Sequence, residues 1–231
     1  VKEFAELSEE EVNQIKDTGS LPLSLAERMI ENVIGVMPLP MGVAVNFIIN
    51  GRPYIVPMVI EEPSVVAAAS HAAKLAASEG GFFTNSTEPI MIGQIQVVGV
   101  KDPNGARMDV LANKDEILKK ANEQDPLLVS RGGGARELDV RILNAFRGWM
   151  VIVELHVDCK DAMGANIVNT MTEAVAPLIE KITRGKILLR IVSNLATKRL
   201  ARAKTTISKK VLGGEEVVDW IIDAYAFAAL D

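Results

Sequence analysis

The central part of the chain alternates between apolar stretches that predict strands and stretches with the periodicity of helices. A strand is predicted at Ile90–Val100. Another is predicted around Leu138–Ile142, where every second residue is apolar. Another strand is predicted at Trp149–Cys159, whose apolar face alternates with Glu154, His156 and Asp158. A helix that reaches about Glu123 separates the first two strands. A second helix precedes a last strand at Ile187–Ser193, and its apolar stripe consists of Ile167, Met171, Val175 and Leu178.

The predicted order of elements over residues 89–193 is therefore β-α-β-β-α-β. This is the split βαβ arrangement of ferredoxin-like domains, and it differs from the doubly wound fold that commonly binds dinucleotides. A turn is predicted at Pro103-Asn104-Gly105, between the first strand and the first helix. The fold class predicted for the chain is α+β.

Different elements flank this domain. A hairpin is predicted from Val43–Ile49 and Tyr54–Ile60, because the turn between them begins at Asn50-Gly51, a pair that tolerates positive φ. An alanine-rich helix follows, with Pro63 in its first turn. After residue 193 a strand and a helix are predicted, and the sequence ends without a C-cap signal. We therefore expect residues 1–88 and 194–231 to be parts of another domain, cut within it.

Composition narrows the class of protein. The 231 residues carry a net charge of −5, which gives no reason to expect a nucleic-acid partner. The single cysteine, Cys159, excludes an internal disulfide and suits a reducing compartment. No apolar run approaches the roughly 18 residues of a membrane helix. We expect a cytoplasmic protein that has no membrane partner.

Two short segments could carry chemistry. Glu61-Glu62-Pro63-Ser64 lies between a strand and a helix, where one carboxylate could transfer protons. The alternative, which this spacing alone favours, is an acidic helix N-terminus. Asp161–Asn166 also joins a strand to a helix, whose free amides could bind a pyrophosphate. Its alternative is an ordinary turn in which Asn166 caps the helix.

The histidines give a weaker signal. His71 and His156 have no cysteine or histidine neighbour at the spacing of metal ligands, and no zinc motif occurs in the sequence. The spacing favours structural roles for both. We expect no metal cofactor.

Longer segments are more specific than these patterns. Glu31–Gly35 reads E-N-V-I-G and is followed by M-P-L-P-M-G, and residues 60–70 read I-E-E-P-S-V-V-A-A-A-S. Asp161–Asn166 reads D-A-M-G-A-N, Val192–Ala196 reads V-S-N-L-A, and Asp223–Ala229 reads D-A-Y-A-F-A-A. Together they resemble class II 3-hydroxy-3-methylglutaryl-coenzyme A (HMG-CoA) reductases along essentially the whole chain.

The resemblance implies interconversion of HMG-CoA with mevalonate and coenzyme A, by two hydride transfers that use NAD(P)H. It implies that Glu62 is the catalytic glutamate and that Ser64 contacts the HMG group. It also implies a ferredoxin-like cofactor domain inserted into a larger α/β substrate-binding domain, and a homodimer or larger oligomer. The cofactor-binding residues that it implies are Asp125, Asp161, Met163, Gly164, Asn166 and Asn194.

Two further expectations come from the resemblance. Asp125 matches the aspartate that holds the adenosine ribose in NAD-preferring members, and its charge would repel a 2′-phosphate, so NADH is favoured and NADPH is the alternative. The family's catalytic lysine, second aspartate and histidine match no residue here and follow the helix in which this sequence ends. We therefore expect the chain alone to be inactive, and the alternative function is that of a fragment that only binds the nucleotide.

Overall fold

The hydrophobic pattern predicts most of the elements found in the computed structural model, which describes residues 1–19 and 21–230. The first half of the chain contains α1 (Glu9–Lys16), α2 (Leu23–Ala26), β1 (Met41–Ile49), β2 (Arg52–Val59), α3 (Val65–Ala77), β3 (Phe82–Ser86), β4 (Ile90–Val98), α4 (Pro103–Ala112) and α5 (Lys114–Asn122). The second half contains α6 (Pro126–Ser130), β5 (Gly134–Ala145), β6 (Gly148–Asp158), α7 (Ala165–Thr183), β7 (Lys186–Val192), β8 (Ala201–Thr205) and α8 (Glu215–Ala228). The α+β class is confirmed.

The chain forms two compact units, one continuous and one made of two segments. The continuous unit is Asn85–Arg202, and the other comprises Val1–Thr84 and Ala203–Asp231. The continuous unit extends beyond the predicted 89–193 at both ends. The reason is a pair of hydrogen bonds, because Thr87 donates its backbone N–H to the Leu200 carbonyl at 2.9 Å and accepts from the Leu200 N–H at 2.8 Å.

The continuous unit has an antiparallel sheet in the order β5-β6-β4-β7. Ile95 on β4 pairs with Val153 on β6, which pairs with Val140 on β5, so three apolar side chains lie in line across the sheet. Helices α4, α5 and α7 pack against this face. Alternation along β6 places Glu154, His156 and Asp158 on the opposite face.

The discontinuous unit is built on a sheet in the order β2-β1-β3-β8. The turn between β1 and β2 is confirmed, since Ile49 pairs with Arg52 and the intervening Asn50 and Gly51 both have positive φ. α3 packs on β1. The backbone N–H of Val45 donates to the Ser70 hydroxyl at 3.0 Å, which fixes the helix against the strand.

Several local predictions were wrong. Pro103-Asn104-Gly105 is the first turn of α4, because the Asp102 side chain accepts a hydrogen bond from the Gly105 N–H and caps the helix. The single helix predicted to about Glu123 is two helices, α4 and α5. Pro63 precedes α3, which begins at Val65. The elements β3 and α6 were not predicted.

Candidate functional site

The turn that carries Glu62 has an unusual backbone at its last residue. Ser64 has φ of 72° and ψ of −20°, a left-handed conformation that non-glycine residues rarely adopt. It holds the N-cap position of α3, but its hydroxyl makes no capping hydrogen bond in the described part of the chain. Such a conformation costs a non-glycine residue about 1–3 kcal/mol.

Glu61 and Glu62 lie just before α3 and outside its first turn. The helix begins at Val65, has Ser64 as its N-cap and has no acidic residue in its first turn. Both carboxylates therefore remain near the N-terminal end of the helix, as the alternative of an acidic helix N-terminus requires.

Glu62 and Ser64 line a common cavity of about 580 Å³. Its other walls come from the start of β1 and from the first turns of α3, including Gly42, Val66 and Ser70. Glu62 itself is exposed to solvent. The cavity thus combines a carboxylate, hydroxyls and apolar surface, which is a suitable set for binding a polar acyl group and exchanging protons with it.

The second candidate segment, Asp161–Asn166, joins β6 to α7 through a left-handed glycine. Gly164 has φ of 97° and is the N-cap of α7, so the alternative in which Asn166 caps the helix is wrong. A Cβ at Gly164 would lie 2.5 Å from Sγ of the buried Cys159, which leaves no room for a side chain. None of the described side chains caps α7, so its first amides can bind an anion.

Asp125 and Asp161 line a second cavity, of about 410 Å³, in the continuous unit. Two cationic residues, Arg131 and Lys160, line it as well. Oδ1 of Asp125 accepts a hydrogen bond from the Leu128 N–H at 2.9 Å and thereby caps α6. Carboxylates suit ribose hydroxyls and cations suit phosphates, so this cavity has the chemistry of a nucleotide site.

The buried carboxylate of Asp158 contacts Lys160, one of the cationic residues that line this cavity. Its Oδ2 lies 2.8 Å from an Arg136 guanidinium nitrogen and 3.0 Å from Nζ of Lys160. Its Oδ1 accepts from the Lys160 N–H at 3.1 Å. Burial alone would raise the pKa of Asp158, but the contacts with Lys160 and Arg136 outweigh it and lower this pKa.

The other predicted cofactor residues lie on the surface near the turn. Met163, Asn166 and Asn194 are exposed and do not line the cavity shared by Asp125 and Asp161. The segment that contains Asn194 is connected to the turn by Arg199, whose Nη1 donates to the carbonyls of Ala162 at 2.9 Å and Met163 at 3.2 Å.

Sequence reasoning did not identify the basic residues of this region. Arg131, Lys160 and Arg199 belong to no motif, and isolated arginines and lysines are common on solvated surfaces. The only available signal was the position of Lys160 beside the Asp161–Asn166 segment. Their convergence depends on the tertiary fold.

Comparisons with known proteins identify the family of the chain. The family model described as hydroxymethylglutaryl-coenzyme A reductase matches residues 1–231. The chain is 59% identical over 231 residues to the 3-hydroxy-3-methylglutaryl-coenzyme A reductase of Archaeoglobus fulgidus. The match covers 100% of this chain and 53% of that protein. It is 27% identical over 209 residues to the enzyme of the same name from Pyrococcus abyssi, covering 85% of this chain and 50% of that protein.

A solved structure shows the same fold. The class II 3-hydroxy-3-methylglutaryl-CoA reductase from Streptococcus pneumoniae, bound to NADPH in open conformations, matches with a TM-score of 0.87 and 39% identity. The match covers 92% of this chain and 51% of that one. This chain belongs to the HMG-CoA reductase family, and the solved structure that it resembles is of class II. The chain spans about half the length of the relatives it matches.

Among residues 1–19 and 21–230, no helix combines the length and hydropathy needed to cross a membrane.

Proposed function

We propose that this chain is part of an enzyme that interconverts HMG-CoA with mevalonate and coenzyme A. The observation that carries the proposal is the cavity in which Glu62 and the left-handed Ser64 stand together. Family membership supports the reaction. In the reductive direction a thioester carbonyl is reduced in two steps, each of which adds a hydride and a proton.

Glu62 is proposed to transfer protons at the reacting carbonyl oxygen. It is the carboxylate of the turn that lines the cavity, whereas Glu61 does not line it. Ser64 is proposed to hold the HMG group through its hydroxyl, which is not used to cap α3. Positioning the acyl group beside Glu62 would make proton transfer effectively intramolecular.

The residues of the second cavity are suited to a nicotinamide dinucleotide, which supplies hydride when it is bound. We propose that Asp125 and Asp161 accept hydrogen bonds from ribose hydroxyls. The first amides of α7, together with Lys160 and Arg131, would stabilise the pyrophosphate. Gly164 allows the left-handed turn before α7 and the close packing of this turn on Cys159. Met163, Asn166 and Asn194 complete the proposed set.

We propose a preference for NADH, although the S. pneumoniae relative is bound to NADPH. Asp125 places a negative charge in the cavity, which would repel a 2′-phosphate. Arg131 lines the same cavity and would reduce that repulsion. The preference therefore depends on which of these side chains lies closer to the 2′ position.

A homodimer or larger oligomer is proposed from the surface around the E-N-V-I-G segment. Met29, Ile30, Ile34 and Met37 expose between 63% and 103% of their surface. A contiguous group of exposed apolar side chains commonly marks a protein interface. The same segment contributes to the dimer interface in the family that it resembles.

The reaction is tested with the full-length gene product, purified and supplied with HMG-CoA. We expect HMG-CoA-dependent oxidation of NADH, with a higher kcat/KM for NADH than for NADPH. Asp125→Asn should narrow that ratio, since asparagine keeps the cap of α6 but removes the charge. Mevalonate is measured by mass spectrometry.

Two outcomes would count against the proposal. Oxidation of NADH without formation of mevalonate would reject HMG-CoA as the substrate. An unchanged ratio of kcat/KM for NADH to kcat/KM for NADPH in Asp125→Asn would reject the proposed role of the Asp125 carboxylate. We also propose that the 231-residue chain on its own binds NADH without turnover, because the resemblance assigns none of its residues to the family's catalytic lysine, second aspartate or histidine. Formation of mevalonate by the 231-residue chain alone would contradict this expectation.

A further inference from the structure

A group of three possible metal ligands lies on the sheet of the continuous unit, on the face opposite the helices. Asp139 on β5 pairs directly with Glu154 on β6, and His156 follows two residues later on the same face. One ligand atom from each of these residues lies within 4.8 Å of the other two. Neither cavity described above includes any of them.

His156 is the residue that points to a ligand. Its side chain is only 2% exposed, and its Nε2 has no hydrogen-bond partner among residues 1–19 and 21–230. The nearest carboxylate oxygen, Oδ2 of Asp139, is 3.8 Å away, which is too far for a hydrogen bond. A buried polar nitrogen is rarely left without a partner, so this atom calls for an additional group between it and the carboxylate.

The two carboxylates also have free coordination capacity. Arg141 donates from two guanidinium nitrogens to the same oxygen of Glu154, Oε1, and leaves Oε2 for another partner. Asp139 is more than half exposed, so its side chain can rotate towards the other two residues. Glu154 and His156 are held in place by β6. Rotation of the Asp139 side chain on β5 can shorten the distance from its carboxylate to these two residues.

We propose that Asp139, Glu154 and His156 bind a divalent transition-metal ion such as Zn²⁺, with water completing its coordination. One imidazole and two carboxylates form a set that Zn²⁺ accepts, at about 2.0–2.2 Å from each donor. Ca²⁺ and Mg²⁺ prefer sites made only of oxygen atoms, so the imidazole selects against them. The bound ion would connect β5 to β6 and stabilise the sheet.

The site was not predicted because its ligands come from two strands. Glu154 and His156 are separated by one residue, and Asp139 is contributed by the neighbouring strand. No spacing in the sequence identifies such a group. From the sequence we expected a structural role for His156 and no metal cofactor. This proposal would replace both expectations.

The test is a titration of the untagged, metal-stripped 231-residue chain with Co²⁺, followed by visible absorption and by competition with Zn²⁺. We expect one ion per chain, displaced by Zn²⁺, and a higher melting temperature with the metal than without it. Asp139→Asn and His156→Gln should each weaken binding by more than about tenfold. Asp139 is exposed, so its variant tests the site even if His156→Gln does not fold.

His71→Gln provides the matched control. His71 is the other histidine of the chain, lies on the exposed side of α3 and should leave the affinity for Co²⁺ unchanged. Glu137→Gln removes an exposed carboxylate beside the site and should also keep binding. Absence of saturable binding, loss of binding in His71→Gln, or full retention in Asp139→Asn would each overturn the proposal.

Discussion

At the scale of single residues, Ser64 and Gly164 show how the backbone positions the two proposed sites. Both have positive φ and both hold the N-cap position of a helix, α3 and α7 respectively. Gly164 has no steric cost there, whereas Ser64 does. The sequence indicated both positions through the resemblance, but it gave no sign that Ser64 is strained.

Asp158 is a buried charged residue that contributes to the stability of the continuous unit. Its side chain is 4% exposed and contacts both Arg136 and Lys160. We predict that Asp158→Asn lowers the free energy of unfolding at pH 7 by about 1.5–3 kcal/mol, the usual contribution of a hydrogen bond to a charged group. Urea unfolding followed by circular dichroism measures this difference.

The effect of Asp158 should depend on pH in a defined direction. Its folded-state pKa is lowered, so the stabilisation is complete above the unfolded value of about 3.9 and disappears as pH falls through the folded value. The difference between wild type and Asp158→Asn should therefore shrink below about pH 4. Asp109→Asn, an exposed control in α4, should stay within about 0.5 kcal/mol of wild type. A difference that does not vary with pH would contradict the assignment.

At the scale of elements, Arg199 connects the end of the continuous unit to the turn before α7. Its two hydrogen bonds fix the carbonyls of Ala162 and Met163, in the turn that belongs to the proposed nucleotide site. Arg199 is a positioning residue in this account. It orders a turn whose amides would bind the pyrophosphate.

We predict that Arg199→Ala in the full-length protein raises KM for NADH about tenfold and changes kcat much less. Such a change corresponds to about 1.4 kcal/mol, which is reasonable for hydrogen bonds donated by a charged group. Arg202→Ala, which removes an exposed arginine nearby, is the control and should not alter KM. A lower melting temperature of Arg199→Ala, together with a fall in kcat as large as the rise in KM, would instead indicate a general structural role.

The order of elements was largely predictable because strands and helices bury different patterns of residues. Val151, Val153, Leu155 and Val157 are fully buried, as their alternation predicted. The prediction failed where tertiary contacts or caps decide the structure. Asp102 caps α4, so Pro103 is the first residue of this helix and not part of a separate turn. Asp125 caps α6, a helix too short to show a periodic pattern in the sequence.

At the scale of the whole molecule, long motifs identified the family, and individual residues alone would not have done so. The two carboxylates of the Glu61-Glu62 turn had a simpler interpretation, and only the motif that surrounds them favoured a catalytic role. The family model covers the complete chain, while the relatives are about twice as long. Grouping of Asp139, Glu154 and His156 could not be predicted, since it arises from strand pairing.

The central claim is that the carboxylate of Glu62 transfers protons during reduction of the thioester, and the adjacent Glu61 provides a matched comparison. In the full-length protein, Glu62→Gln should lower mevalonate formation by roughly 100-fold or more, with the affinity for NADH unchanged. Glu61→Gln should keep most of the activity, because Glu61 does not line the cavity. Equal activity of the two variants, measured as kcat for mevalonate formation, would contradict the account.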